Sequence, residues 1–388
     1  MSKLHFTQEQ VTKILQEIAE RENGFQEVIK LSFEALMRAE REEFNGENQD
    51  VSNGYRMRRT FGHGKILELR VPRTRNGNFY PLLLGLLRDQ EEECRKMAYT
   101  LYGSGLTTEQ VGKIFGDLYG KEYSTSQVSR MFDYARNDVK SWLERPLEPY
   151  YPIIMIDATF IYTRRSESVS KEGYYTILGV LPDRTRDVLA IVNFPTESAS
   201  AWEDVFMSLK HRGLKNLGLI ICDSLTSIEN AIWRHFPGVN VQFCTVHLER
   251  NVCKHIKPKE KAQASTELKD VFRTGDRFDS SEKGWQRWEE FCQRWGKRYP
   301  SIKRMCESQR YKLHFTYLDY NFNIHSMIHT TNWIERLNRD YKRTTKMRGA
   351  LPNADATILL LGYVAMTRTA YQRKIPKLDM ENRFFNWE

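Results

Sequence analysis

An α/β core interrupted by an all-α insertion, and preceded by a mainly helical region, is the fold class this sequence predicts. Three observations predict it. Residues 150–256 alternate short apolar runs with amphipathic stretches, the pattern of strands alternating with helices. Residues 257–325 lose the strand pattern and become rich in Lys, Glu and Arg. Residues 1–148 keep a helical period except for one short segment that alternates like a strand. A chain of 388 residues has room for two or three domains, each with a real core.

Composition narrows the class. A hydrophobic fraction of 40% and a charged fraction of 28% are ordinary for a water-soluble protein. No run reaches the roughly eighteen apolar residues of a membrane span. Met1-Ser2-Lys3-Leu4-His5 leads into a polar helix rather than an apolar signal core, so no export signal is expected. Cys94, Cys222, Cys244, Cys253, Cys292 and Cys306 are scattered without a Cys-x2-Cys pair, which suggests a reducing compartment rather than a disulfide framework. A formal charge of +9 points to a polyanionic partner.

The elements follow in order. Residues 1–45 read as a helical N-terminal region. It has Val11, Ile14, Leu15 and Ile18 on one helix and Val28, Leu31, Phe33 and Leu36 on a second, divided at Gly24. That broad apolar face suits core or a subunit contact. Residues 46–87 change character. Asn53-Gly54 and Gly62-His63-Gly64 are turn signals, and Lys65–Pro72 alternates like a strand. Arg56, Arg58, Arg59, Arg70, Arg73 and Arg75 make this ribbon basic, fit for phosphates or for a solvated edge.

Residues 88–148 read as a helix-turn-helix. One helix spans Glu91–Tyr102, a second is capped at Thr107 or Thr108, and Gly116–Glu122 turns. A third is capped by Ser124, with Val128, Met131, Ala135 and Val139 inward. Ser126, Gln127, Ser129 and Arg130 lie near its start, where short hydrogen-bonding side chains and an Arg can read base edges in a major groove. Pro146 and Pro149 end the unit and begin a linker.

Residues 149–256 give strands at Ile153–Phe160, Tyr174–Leu181 and Asp187–Phe194, the last two joined by a tight Pro182-Asp183-Arg184 turn. A helix at Ser200–Arg212, a strand at Leu217–Cys222, a helix at Leu225–His235 and a short strand at Val239–Phe243 follow. Three sequential strands, then helix, strand, helix, strand, is the order of a ribonuclease-H-like fold. Residues 257–328 form the helical insertion, with Trp285, Trp288 and Trp295 at helical spacing, suited to a small core or to stacking on an unpaired base. Residues 329–373 resume the core with a basic helix, Asn332–Arg348, ended by Gly349 and Pro352, and an apolar helix at 357–371. Residues 374–388 form an irregular tail.

The chemistry lies in repeated grammar. Ile153-Ile154-Met155-Ile156 runs into Asp157, and Leu217–Cys222 runs into Asp223. A lone acid at a strand end is often structural, held by hydrogen bonds. Here the first and fourth strands would lie side by side, so two carboxylates would emerge together and repel unless a cation sits between them. Glu335 on the basic helix would complete a site for two ions, and hard oxygen ligands suit Mg2+ (or Mn2+) rather than zinc. Arg339 and Lys342 share the Glu335 face at helical spacing, and Arg336, Arg343, Lys346 and Arg348 add charge to hold a phosphate backbone. Cys244 and His247 have the spacing of half a zinc site, but no matching second pair stands nearby, since Cys253 and His255 are badly spaced. A neutral His beside the scissile phosphate, oriented by a buried Cys, is the alternative.

Four blocks carry a resemblance: Ile156-Asp157-Ala158-Thr159, Ile221-Cys222-Asp223-Ser224, Cys244-Thr245-Val246-His247-Leu248-Glu249-Arg250-Asn251, and Thr331-Asn332-Trp333-Ile334-Glu335-Arg336-Leu337-Asn338-Arg339. Together, over roughly residues 90–370, they resemble the signature blocks of Mutator-type transposases of bacterial insertion sequences. The resemblance implies a DDE transposase with a ribonuclease-H-like core and Asp157, Asp223 and Glu335 as metal-binding catalytic acids. It places His247 and Cys244 in the accessory position. It further implies binding of terminal inverted repeats, strand cleavage there and strand transfer to target DNA, often through a circular copied intermediate. A cytoplasmic, nucleoid-associated location and a homodimer follow as expectations, since two DNA ends must be brought together. Ala158-Thr159-Phe160-Ile161-Tyr162 departs from the more polar stretch of many relatives, which touches the neighbours of the site and not its acids. Two other readings stay open: a ribonuclease-H-like nuclease or resolvase without strand transfer, and a non-catalytic DNA-binding regulator.

Overall fold

The structure, a computed structural model, describes residues 7–20, 24–62, 65–119, 123–194 and 199–377. They gather into two units, Met1–Ala135 and Arg136–Glu388.

In the first unit, α1 (Gln8–Ala19) and α2 (Gly24–Asn48) are the two helices expected from the apolar period. A Cβ at Gly24 would collide with the backbone carbonyl of Ile18, so glycine permits the close approach of the two. Leu31 and Leu36 do not enter the core as their period suggested; both are exposed, and Met37 is buried instead. β1 (Ser52–Gly62) and β2 (Lys65–Thr74) form an antiparallel ribbon. Its Gly62–Lys65 end fits the expected turn, of which His63 and Gly64 lie outside the described residues. Asn53-Gly54, expected as a turn, lies within β1 at an irregularity between Ser52 and Tyr55, where Gly54 adopts φ +67°. Leu67, Leu69 and Val71 pack on Met37 and on Leu84 and Leu87 of α3 (Leu82–Gly103).

α4 (Thr108–Tyr119) begins with a reciprocal cap, Thr107 Oγ1 accepting from Gln110 N and Gln110 Oε1 from Thr107 N. It runs through the start of the expected 116–122 turn, whose residues 120–122 lie outside the description. α5 (Thr125–Met131) carries the same device between Ser124 and Gln127. One continuous third helix was expected, but the structure breaks it at Phe132 and restarts it as α6 (Asp133–Glu144). The break turns Phe132 onto the rings of Tyr99 and Tyr102, at centroid distances of 5.3 and 4.6 Å. Burying that ring outweighs the lost helical continuity.

The second unit is built on a five-stranded sheet in the order β5-β4-β3-β6-β7. Its strands are β3 (Tyr150–Arg164), β4 (Val169–Val180), β5 (Arg186–Phe194), β6 (Asn216–Cys222) and β7 (Asn240–Phe243). β3, β4 and β5 pair antiparallel, while β6 runs parallel to β3 and β7 parallel to β6. The first and fourth strands of this unit, β3 and β6, lie side by side as the sequence led us to expect. α7 (Ala199–His211) and α8 (Thr226–His235) cover one face, where Ile154, Ile156, Ile177, Ile220 and Cys222 meet Trp202, Phe206, Ile228 and Ile232. The Pro146–Pro149 segment, expected as a linker, is tied down: Leu147 is buried and its N–H donates to Arg212 O at 2.7 Å.

α9 (Thr245–Lys254) leads into the helical insertion of α10 (Lys261–Val271), α11 (Ser281–Gly296) and α12 (Pro300–Glu307). Trp285, Trp288 and Trp295 are all buried there, so they form a core rather than a stacking surface. Cys292 and Cys306 correct the expectation of unpaired thiols. The packing of α11 on α12 brings their Cα atoms to 6.2 Å, and the structure pairs them as a disulfide. After α13 (His325–Ile328), the basic helix α14 (Asn332–Thr345) packs on β3. It ends three residues before Arg348, in a tight turn and Gly349 at φ +61°. α15 (Ala354–Met366) starts earlier than expected because Asn353 caps it, accepting from Ala356 N at 2.8 Å. Among the described residues, no helix is long and apolar enough to cross a membrane.

Candidate active site at the ends of β3, β6 and β7

The register of the sheet places the acids. Met155 of β3 pairs with Ile221 of β6, and Asp157 and Asp223 each stand two residues further on. Cys222 pairs with Phe243 of β7, and Cys244 N donates to Cys222 O at 2.8 Å. Side chains alternate along a strand, so Asp157 points away from the α7–α8 face, toward the side where α14 packs. α14 presents Glu335 in its first turn.

Asp157 is only 7% exposed. Asn338 of α14 donates to its Oδ2 at 2.8 Å, and His247 Nε2 lies 3.7 Å from its Oδ1. Burial pushes its pKa up to about 6; the His247 charge opposes the rise, while Glu335 and Asp223 add to it. Three acids therefore share one field. Burial disfavours charge on His247, but the Cys244 thiol, Asp223 and Asp157 more than offset that and hold its pKa up at about 9. These surroundings, the Cys244 hydrogen bond first and the acids after it, favour the charged imidazole over the neutral one expected from the sequence.

Cys244 is the residue before α9, and Thr331 the residue before α14. Thr331 Oγ1 donates to Cys244 Sγ at 3.6 Å, and Thr245 N donates to His329 O at 3.1 Å. The buried thiol joins the starts of the helices that carry His247 and Glu335.

Glu335 is partly exposed and faces Arg250 of α9, with Oε1 to Nη2 at 3.1 Å. Arg336, Arg339, Lys342, Arg343 and Lys346 are all exposed. In the first unit, Ser126 and Arg130 are exposed on α5, but Gln127 gives its Oε1 to Ser124 N at 2.9 Å and serves as a cap. Sequence reasoning assigned no role to Asn338 or Arg250. Each stands three residues past a chosen residue on one helix, Asn338 past Glu335 and Arg250 past His247, and that spacing was the available signal.

A family model described as transposase, Mutator family, matches residues 3–373. The chain belongs to the Mutator family of transposases. This transposase is 29% identical over 379 residues to the transposase of insertion sequence element IS256 in transposon Tn4001 of Staphylococcus aureus, covering 94% of this chain and 95% of that one. It is 28% identical over 290 residues to the transposase of insertion sequence element IS905 of Lactococcus lactis subsp. lactis strain IL1403, covering 75% and 72% of the two chains. Among solved structures, the Drosophila P element transposase strand transfer complex aligns with a TM-score of 0.41 at 10% identity, covering 73% of this chain and 93% of that one.

The donor set of the transposase fits a hard divalent cation in kind. Glu335 and Asp223 add to the cost of ionising the buried Asp157, which a bound cation would relieve. In the geometry described, no group of three His, Cys, Asp or Glu side chains lies close enough together to hold an ion. Glu335 is held by Arg250 instead.

Proposed function

We propose that this transposase cleaves DNA at the terminal inverted repeats of an insertion sequence and transfers the cut strands to target DNA. It does so in a DDE site of a ribonuclease-H-like core, with Mg2+ (or Mn2+) held by Asp157, Asp223 and Glu335. The observation that carries the reading is the convergence of two acids, each two residues past a paired strand position, on a third acid from α14, with family membership beside it. When bound, the ions supply Lewis acidity at the phosphodiester and at the attacking hydroxyl.

The chain's own residues do the rest. Asn338 holds one oxygen of Asp157 by a hydrogen bond, His247 lies near the other, and Cys244 ties the start of the helix that carries His247 to Thr331. The exposed cations Arg336, Arg339, Lys342 and Arg343 of α14, with Lys346 just after it, hold the phosphate backbone in register. α3, α4 and α5 act as the helix-turn-helix that reads the repeats, with Ser126 and Arg130 toward the bases. A homodimer is the smallest assembly that brings two ends together.

The test uses purified protein, a supercoiled donor plasmid carrying the element's ends, a second plasmid and Mg2+. Donor cleavage followed by joining to the second plasmid is expected, and Asp157→Asn should lower both by about 10³-fold or more. Undiminished cleavage by that variant would show that the acids are wrongly assigned. Cleavage without joining would leave a nuclease.

A further inference from the structure

The one ion pair of the described site that joins its two sequence segments is Arg250 with Glu335. Arg250 follows the third β-α connection on α9; Glu335 opens α14 beyond the whole helical insertion. Glu335 Oε1 makes no hydrogen bond of ordinary geometry, so the 3.1 Å contact is held by charge. The Arg250 side chain is 58% exposed, and a guanidinium carries five N–H donors in a fixed fork. Much of that fork stays open to solvent at the edge of the carboxylate cluster.

We propose that Arg250 is a phosphate-binding residue of this site whose resting partner is Glu335, so that DNA and divalent cation load together. This rests on the carboxylate triad proposed above. Glu335 Oε1 cannot serve Arg250 and a divalent cation at once without setting two positive charges against each other. In the DNA-free protein Arg250 therefore competes with the cation. A phosphodiester offers the guanidinium two oxygens in the geometry it matches best. Taking that partner releases Glu335 to the cation. The cost of the exchange is small because the buried Glu335 Oε1 trades one cationic partner for another while the largely exposed Arg250 gains a phosphate.

The experiment measures Mn2+ binding to the full-length protein by electron paramagnetic resonance, without DNA and with duplex DNA from an end of the element. Asp157→Asn serves as the blank for ions held by the DNA itself. Arg250→Gln should bind Mn2+ about fivefold more tightly than the parent without DNA, and gain little when DNA is added. Lys254→Gln removes the same charge one turn along α9 and should shift binding by about twofold or less. Arg250→Lys keeps the charge but not the fork. It should match the parent without DNA and lose most of the gain with DNA. If Arg250→Gln binds Mn2+ no more tightly than the parent, or Lys254→Gln tightens it equally, the inference is overturned. If Asp157→Asn and Glu335→Gln leave Mn2+ binding untouched, the triad itself fails.

Discussion

Asp157 and Glu172 are buried acids on adjacent strands of one sheet, 7% and 4% exposed, yet they are in opposite electrostatic states. Arg165 donates to both oxygens of Glu172, at 2.7 and 2.6 Å, and Ser170 adds a bond at 2.6 Å. Those Arg165 bonds hold the Glu172 pKa down at about 2 in spite of burial. Asp157 receives only neutral bonds, from Asn338 and the Ala158 backbone, with His247 at a longer distance and two more acids near, and its pKa rises to about 6. Burial is common to both; completeness of pairing separates them. A carboxylate closed off by a guanidinium fork is architecture. One left short of positive charge among other acids is a candidate place for a cation.

Two substitutions test that division most severely. Asp157→Asn should cut strand cleavage by about 10³-fold or more, while denaturant unfolding shows the same or greater stability, since an underneutralised buried charge is gone. Glu172→Gln should do the reverse. It should lower stability by about 2 to 3 kcal/mol, because Arg165 loses its charged partner, and leave cleavage per folded molecule within about twofold. If Glu172→Gln abolished cleavage in stably folded protein, the two acids would not differ in kind.

The same pair gives opposite pH dependences. The folded pKa of Glu172, about 2, lies below its unfolded value of 4.5. Its stabilisation is therefore complete above pH 4.5 and is lost as pH falls toward 2. The folded pKa of Asp157 is raised from 3.8 to about 6, so its destabilising contribution develops as pH rises through that interval and is complete above it. Urea midpoints across this range should fall less steeply in acid for Glu172→Gln than for the parent. Parallel curves would mean that Arg165 does not favour the ionised form of Glu172 as described.

Most of the sheet was legible because a buried strand announces itself as an apolar run, and an acid ending one has no bland reason to recur at a second. Asp157 and Asp223 were singled out that way, and the register sets them at neighbouring strand ends. The spacing of the three insertion tryptophans suited a core or a stacking surface, and only their burial decides for the core. What stayed hidden depends on partners remote in sequence. The break at Phe132 exists only because Tyr99 and Tyr102 wait for its ring. The Cys292–Cys306 bond depends on how α11 meets α12, which residue spacing does not encode. Leu31 and Leu36 fit the helical period but lie on a face this chain leaves exposed. Gln127 looked like a base reader because capping boxes and base contacts use the same short polar side chains at helix starts.

Asn338 sharpens the comparison at the smallest scale. It gives Asp157 a neutral hydrogen bond where Arg165 gives Glu172 a charged fork. A neutral bond contributes on the order of 1 kcal/mol, so Asn338→Ala should slow cleavage about fivefold and leave stability within about 1 kcal/mol of the parent. Its action is on the orientation of Asp157, so Mn2+ affinity should weaken by a similar factor. Asn338→Asp adds a fourth acid to the cluster without changing side-chain size. It should disturb cleavage more than the alanine does, because like charge disfavours the ionised form of its neighbour. Were alanine at this position as damaging as Asp157→Asn, Asn338 would have to touch the DNA or the cation directly, and Asp157 would lose its place as the acid the rest of the site is arranged around.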